Sequence, residues 1–264
     1  MSIFNKVLSS VGIGAAKVDT VLEYSEVEPG GEISGVVKIV GGKVEQNINK
    51  IDLDVICNYT VEVEREDSDG NEETVTKVKK YKLTSYKIKE AFTIQPKEKI
   101  DIPFSFELSQ DAPLSVGQSK TWIDTNLDIE RALDKSDKDY LHVSANDLQQ
   151  AVIDALEELG FRLYEADCEG IESASFSRLP FVQELEFKTI SGDFHGKFDE
   201  VEVVFFARGE QLEVVFEIDR KSKGLMGFFK EAMDLDESNA RLVVTEDDID
   251  DLEDSIYEIL ENNM

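Results

Sequence analysis

The stretch Ile51-Asp-Leu-Asp-Val-Ile-Cys-Asn-Tyr-Thr-Val-Glu-Val63 sets the reading of the whole chain. Ile51, Leu53, Val55, Cys57, Tyr59, Val61 and Val63 hold every second position, and Ile56 is the one apolar residue between them. A period of two puts such a set on one face of a sheet, whereas a helix would scatter it around its circumference. The spacing therefore predicts a long β-strand with one buried face. Working outward, Asp67-Ser-Asp-Gly-Asn71 is a polar turn and Val75 to Leu83 its return strand. Val18–Tyr24 reads as a strand, Glu28-Pro-Gly-Gly31 as a turn, and Ile33, Val37 and Ile39 as the strand after it. Ile100, Ile102, Phe104, Phe106 and Leu108 alternate again. Pro103 inside that run favours an edge, because proline lacks the N–H an interior strand must donate. Residues 18–140 thus predict an antiparallel all-β unit with the turn spacing of a sandwich.

Different patterns flank this unit. Ile3, Phe4, Val7, Leu8 and Val11 have helical spacing, ended by Gly12 and Gly14. Asp134-Lys-Ser-Asp-Lys-Asp139 reads as a charged break. After it, Ser144 is placed to cap a helix with Leu148, Val152, Ala155, Leu156 and Leu159 on its apolar face, stopped by Gly160. Strand-like pieces follow at Phe161–Ala166, Phe181–Phe187, Val201–Phe206 and Leu212–Ile218. A last helix starts near Thr245, with Asp247, Asp248 and Asp250 early, where a helix N-terminus favours negative charge. Its apolar positions are Ile249, Leu252, Ile256, Ile259 and Leu260. The expected division is a β-sandwich over residues 1–140 and a second β-rich unit over 141–264, with helices near 145–159 and 246–261.

Charge separates the same two stretches. The 264 residues carry 28 Lys+Arg against 57 Asp+Glu, a formal charge of −29. Residues 1–140 hold 18 basic and 26 acidic residues, and residues 141–264 hold 10 and 31. So acidic a chain lacks the basic face that a phosphate backbone requires, which argues against nucleic-acid binding. The same charge opposes stable insertion at an anionic membrane. No apolar run is long enough for a transmembrane helix, and the N-terminus has no secretion-signal pattern. With two cysteines there is neither a disulfide framework nor a cysteine zinc site. The expectation is an acidic, soluble, cytoplasmic protein whose partners are other proteins, and for which a homo-oligomer is compatible.

The motifs of catalysis are missing. His142 and His195 lack metal-ligand spacing, and no G-x-S-x-G elbow occurs. Gly12-Ile-Gly14-Ala-Ala-Lys17 starts like a phosphate loop but has Lys in place of the third Gly and follows a helix. The runs from Asp67 and from Asp234 fail as calcium loops at the sixth and twelfth positions. Cys57 lies on the apolar face of its strand, and Cys168 sits between Asp167 and Glu169, which disfavours a thiolate. No enzyme and no cofactor is expected.

One local anomaly remains. Arg220, Lys221 and Lys223 precede Leu225, Met226, Phe228 and Phe229, a basic island beside exposed-type apolar residues in an acidic chain. That composition suits a partner-binding loop or a membrane-touching one. The plainer alternative puts the phenylalanines in the core and pairs the basic residues with nearby acids. The first helix offers a second membrane-facing candidate, and open sandwich edges a third route, strand addition of a peptide.

Glu28-Pro-Gly-Gly-Glu-Ile-Ser-Gly-Val-Val-Lys-Ile39, and Ile102-Pro-Phe-Ser-Phe-Glu-Leu108 followed by Ala112-Pro-Leu-Ser115, resemble segments of arrestin-like N-domains. More specifically, three stretches together resemble the bacterial stage-zero sporulation-control protein M family. They are Trp122-Ile-Asp-Thr-Asn-Leu-Asp-Ile-Glu-Arg-Ala-Leu-Asp134, Val11-Gly-Ile-Gly-Ala-Ala-Lys-Val-Asp19 and Ile218-Asp-Arg-Lys-Ser-Lys-Gly-Leu-Met-Gly-Phe228. The resemblance covers nearly the whole chain. It implies a mainly β, arrestin-like scaffold of two sandwich units and a cytoplasmic regulator of sporulation acting as an adaptor, with no catalytic residue to carry over.

Overall fold

The computed structural model describes residues 14–66, 71–89, 91–130, 134–171, 177–198, 200–219 and 239–263. The protein is mainly β, with fourteen strands among the described residues and two α-helices. The helix expected over residues 3–11 lies outside the described residues. Two compact units are present, and neither is continuous in sequence. One comprises residues 1–57, 80–112 and 120–144, the other 58–79, 113–119 and 145–264.

In the first unit, β1 (Lys17–Leu22), β3 (Glu32–Val40) and β7 (Lys99–Glu107) form an antiparallel sheet in the order β1-β3-β7. Pro103 is on β7 at the edge of that sheet, opposite Val36, as its missing N–H demands. The turn before β3 is closed by Gly31 N–H donating to Glu28 O at 2.9 Å. The long alternating stretch is β4 (Gln46–Glu66), whose residues 48–57 pair antiparallel with β8 (Thr121–Ile129). β8 pairs in turn with β9 (Lys135–Val143), and the short β2 (Glu26–Val27) joins β9 in parallel. Ile51, Leu53, Val55 and Cys57 are fully buried, so the alternation of β4 is the core pattern it looked like. Each such aliphatic side chain contributes about 1.5–3 kcal/mol on leaving water. Asp54 points to the opposite face and is also buried. There it accepts from Ser85 Oγ at 2.5 Å and pairs with Lys82 Nζ at 2.6 Å, so its charge is compensated. Across the unit, the Thr20 and Thr125 hydroxyls meet at 2.6 Å.

Two expectations change here. The charged stretch 134–139 is not a break: Lys135–Val143 is a strand. Of its charged side chains Lys138 faces solvent, its Nζ 3.9 Å from the Trp122 ring centre, while Lys135, Asp137 and Asp139 share the half-buried face, where Asp137 Oδ2 accepts from Thr20 N–H at 2.7 Å. Nor does Ser144 cap the helix. Its N–H donates to Val27 O at 3.1 Å, which holds it in the β2–β9 ladder.

The cap is Asn146, at the start of α1 (Asp147–Glu158) in the second unit. Its Oδ1 accepts from Gln149 N–H at 3.0 Å and its own N–H donates to Gln149 Oε1 at 3.1 Å, a reciprocal capping box. Asn146→Ala is expected to cost about 1 kcal/mol, read as a lower urea midpoint with an unchanged slope. After α1 come β10 (Phe161–Gly170), β11 (Phe181–Thr189), β12 (Glu200–Arg208), β13 (Gln211–Asp219) and β14 (Asn239–Val244), antiparallel neighbours in that order. One face of this sheet buries Leu185, Phe187, Val201, Val203, Val214 and Phe216. Val152 and Leu156 of α1 are buried as well, as are Leu252, Ile256 and Leu260 of α2 (Leu252–Asn262). Phe194 links these layers, 6.0 Å from Phe161 and 5.0 Å from Tyr257 between ring centres. The last helix begins as a 3₁₀ turn over Glu246–Asp251. At its start, Asp248 Oδ2 accepts from Thr245 N–H at 2.8 Å and from Thr245 Oγ1 at 2.6 Å. The Thr245 hydroxyl and N–H hold the Asp248 carboxyl below its usual range.

Candidate functional site

Arg220, Lys221, Lys223, Leu225, Met226, Phe228 and Phe229 lie outside the described residues, as do Asp234 and Asp236. The described chain ends at Asp219 on β13 and resumes at Asn239 on β14, which pair side by side in the sheet.

The described thiols and imidazoles have no arrangement for nucleophilic or metal chemistry. Cys57 and Cys168 are both buried. Cys168 Sγ lies 2.8 Å from Ser119 Oγ, and burial, more than the neighbouring Asp167, pushes its thiol up to about 12. A thiol so placed is packing, not a nucleophile. His142 and His195 are exposed. Among the described residues no group of three or more His, Cys, Asp and Glu is arranged to hold a metal ion. No helix there is long and apolar enough to cross a membrane.

What the sheet of the second unit does gather is carboxyl groups. On its face opposite the aromatic core, Glu186 of β11 stands directly across from Glu202 of β12, and Glu202 across from Glu217 of β13. Glu184 shares that face and is 4% exposed, with Oε1 making no hydrogen bond. Its carboxyl is pushed up to about 10, first by burial, then by the charges of Glu202, Glu169, Glu217 and Glu186. Glu186 is raised for the same kind of reason, chiefly burial and then Glu200. Lys188 and Glu200 approach to 3.8 Å at the end of this row.

Beside the row lies a cleft. β4 continues into the second unit and meets β10 in parallel at a single position, Thr60 opposite Glu169. Thr60 Oγ1 donates to Cys168 O at 3.2 Å. At Gly170 the approach is close: a Cβ there would lie 2.5 Å from Val61 Cγ1 and 3.2 Å from Thr60 O. Ile171 N–H donates to Pro180 O at 3.0 Å, carrying the β10–β11 pairing one position past Gly170 and Phe181. The wedge beside this bridge holds about 340 Å³. Val61, Glu62 and Val63 of β4, Thr76 and Lys79 of β5 (Glu72–Lys89), and Glu169, Ile171 and Pro180 line it. Tyr59 also borders it, its ring stacked on Phe181 at 5.0 Å. A second depression of about 420 Å³ lies between α1, the 3₁₀ turn and α2, with Asp147, Asp154, Glu158, Asp250 and Glu253 around Ile249.

The profile of the SpoOM protein family (Spo0M) matches residues 4–222. The chain belongs to this family. The resemblance read from Val11–Asp19, Trp122–Asp134 and Ile218–Phe228 is thereby established. A SpoOM family relative, the sporulation-control protein spo0M of Bacillus subtilis (strain 168), is 40% identical over 263 residues, 99% of this chain and 97% of that one. The crystal structure of Spo0M, sporulation control protein, from Bacillus subtilis is similar in fold. It has a TM-score of 0.80 and 39% identity, covering 96% of this chain and 100% of that one. The match of fold and length extends the SpoOM assignment across both units of the chain.

Proposed function

We propose that this protein is a regulator of sporulation that acts by binding other proteins, without a catalytic step, in the cytoplasm. The observation that carries the reading is the 40% identity, over essentially the full length, to a protein named for sporulation control. The arrestin-like, two-sandwich description of the scaffold belongs to this proposal, supported by the segments Glu28–Ile39 and Ile102–Ser115 and by the mainly β architecture. Buried, unreactive thiols and exposed, isolated histidines favour binding over chemistry.

The reading is tested in a spore-forming host from which the SpoOM family gene has been removed. Restoring this chain is expected to return heat-resistant spore counts to those of the parent strain. Crosslinked affinity capture with the full chain is expected to recover partner proteins that Phe228→Ser with Phe229→Ser loses, while circular dichroism stays that of the wild type. An unchanged capture pattern takes residues 220–229 out of the reading. Spore counts unaffected by loss and return of the gene remove the sporulation role itself.

A peripheral membrane role is the second reading, favoured by the basic island at Arg220, Lys221 and Lys223 directly before Leu225, Met226, Phe228 and Phe229. Flotation with anionic vesicles at low salt decides it, since an electrostatic attachment is strongest there.

A further inference from the structure

We propose that Lys80 and Lys138, held over Trp122 with Tyr140 and Lys120 beside them, form a docking site in the first unit for a glutamate-rich segment of a partner protein. The site rests on the binding reading above and gives it a place and a chemistry.

The platform follows from the register of the sheet. β5 pairs with β4, β4 with β8 and β8 with β9, and Ile56, Trp122 and Tyr140 stand opposite one another across the last three strands. This row is on the face away from the fully buried Val55 and Ile123. The Trp122 and Tyr140 ring centres are 6.3 Å apart. Lys80 Nζ of β5 lies 5.3 Å from the centre of the Trp122 ring, and Lys138 Nζ of β9 lies 3.9 Å from it and 4.5 Å from that of Tyr140. Lys80, Lys120, Lys138 and Tyr140 are all exposed, Tyr140 by 57%, so the platform is open to solvent.

Charge and ring chemistry specify the occupant. Two ammonium groups drawn to one ring repel each other, and an anion set between them removes that repulsion. Among the described residues neither Lys80 nor Lys138 is in an ion pair, and Lys138 turns to the rings although Asp124 is its register partner. The Tyr140 phenol is held below its ordinary value first by the hydrogen bond and charge of Lys138, then by Lys120 and Lys80, so the potential of three lysines meets at that hydroxyl. The buried Trp122 Nε1 makes no hydrogen bond, which leaves the site with donors to spare. Residues 74–89 of β5 hold six Lys and no Asp or Glu, a local reversal of the chain's net charge of −29. A glutamate suits this surface better than a bare anion, because its two methylenes lie on the exposed Tyr140 ring while its carboxylate sits among the ammonium groups. Lysines act as point charges without a fixed bidentate geometry, so several carboxylates along a segment carry the affinity.

The test uses the full-length protein, in which Trp122 is the only tryptophan, so its fluorescence reports this site. A synthetic acetylated, amidated hexaglutamate is expected to change that emission saturably at low salt. Binding is expected to weaken as salt rises and screens the exposed charges. Lys80→Gln with Lys138→Gln is expected to raise the titration midpoint about tenfold, the effect of two exposed charge pairs, with circular dichroism unchanged. Lys80→Arg with Lys138→Arg keeps the charge and the ring stacking and is expected to keep the midpoint. Lys99→Gln, at an exposed position of β7, is expected to keep it too. Hexaglutamine is expected not to bind. The proposal is overturned if the Gln double variant binds hexaglutamate as well as the wild type does, or if hexaglutamine binds equally. It is equally overturned if inorganic phosphate saturates the same response at a lower concentration than hexaglutamate, the mark of a phosphate site, or if only phosphatidylglycerol vesicles give the response, the mark of a membrane contact. An emission change on dilution of the protein alone, lost in the Gln double variant, assigns the platform to a second copy of this chain and overturns it as well. A silent Trp122 while crosslinked capture still yields partners that Phe228→Ser with Phe229→Ser loses rejects this site and leaves the binding reading standing. Failure of both rejects the two together.

Discussion

Glu184→Gln is expected to stabilise the protein by about 3 kcal/mol at pH 7, a gain seldom available from one polar substitution. In the folded chain the Glu184 carboxyl is pushed up to about 10 by burial and by Glu202, Glu169, Glu217 and Glu186. In the unfolded chain it titrates near 4.3. Between those values the folded state holds a proton that the unfolded state releases, so rising pH favours unfolding. The contribution of this residue is complete below the unfolded value and is lost progressively as pH climbs toward 10. Gln keeps the size and the hydrogen-bonding ends without a proton to lose. Urea denaturation at pH 5, 7 and 9 checks this. The wild-type midpoint falls across the series, the variant's falls much less, and the gap between them widens with pH. Equal midpoints at pH 9 would mean that the carboxyl is ionised and paired in the fold, contrary to its unbonded Oε1.

Gly117→Ala is expected to destabilise by about 3 kcal/mol or more. Gly117 has φ +60°, and a Cβ built there lies 2.2 Å from Ala166 O, on the backbone of β10. Left-handed backbone costs an L-residue about 1–2 kcal/mol, and an overpacked contact about 1–3 more. The loop cannot move aside cheaply, because Gln183 clamps it: Oε1 accepts from Leu114 N–H at 2.7 Å and Nε2 donates to Leu114 O at 2.8 Å. Asn58 Nδ2 adds a bond to Gln118 O at 3.2 Å. The readout is the guanidinium midpoint, with a fall of the stated size against the wild type. A variant as stable as the parent would show that the segment relaxes freely.

Much of the architecture could be read from periodicity. The β4 core pattern, the β10 to β13 strands and the apolar faces of both helices all follow from spacing of two or of three and four, because burial of one face leaves that trace. The errors have physical sources too. Residues 134–139 look like a break because charge is abundant, yet in β9 the inward Asp137 is held by Thr20 N–H and the outward Lys138 rests on Trp122. Ser144 and Asn146 are both good caps in isolation, and only the ladder bond from Ser144 to Val27 O decides between them. β14 is too short and too mixed to stand out. The raised thiol of Cys168 was foreseeable in direction from its acidic neighbours, but burial is the larger cause. For the candidate site the limits are stricter. The wedge joins Thr60 to Glu169 and Gly170, and the carboxyl row joins Glu184, Glu202 and Glu217. No local pattern links strands so distant, and each glutamate taken singly reads as a solvated face.

The division of the chain into interleaved pieces bears on how it is made. It passes from one unit to the other after Cys57, Lys79, Ala112, Ser119 and Ser144. A ribosome therefore releases Asn58–Lys79 long before β10 and its neighbours, which complete the same unit, have been translated. The first unit is fully synthesised once Ser144 has emerged, while that early hairpin waits for most of the remaining message to be read. Such an order exposes unpaired strand to other nascent chains, the hazard that chaperones relieve. It also means that neither unit can be cut out as one uninterrupted open reading frame.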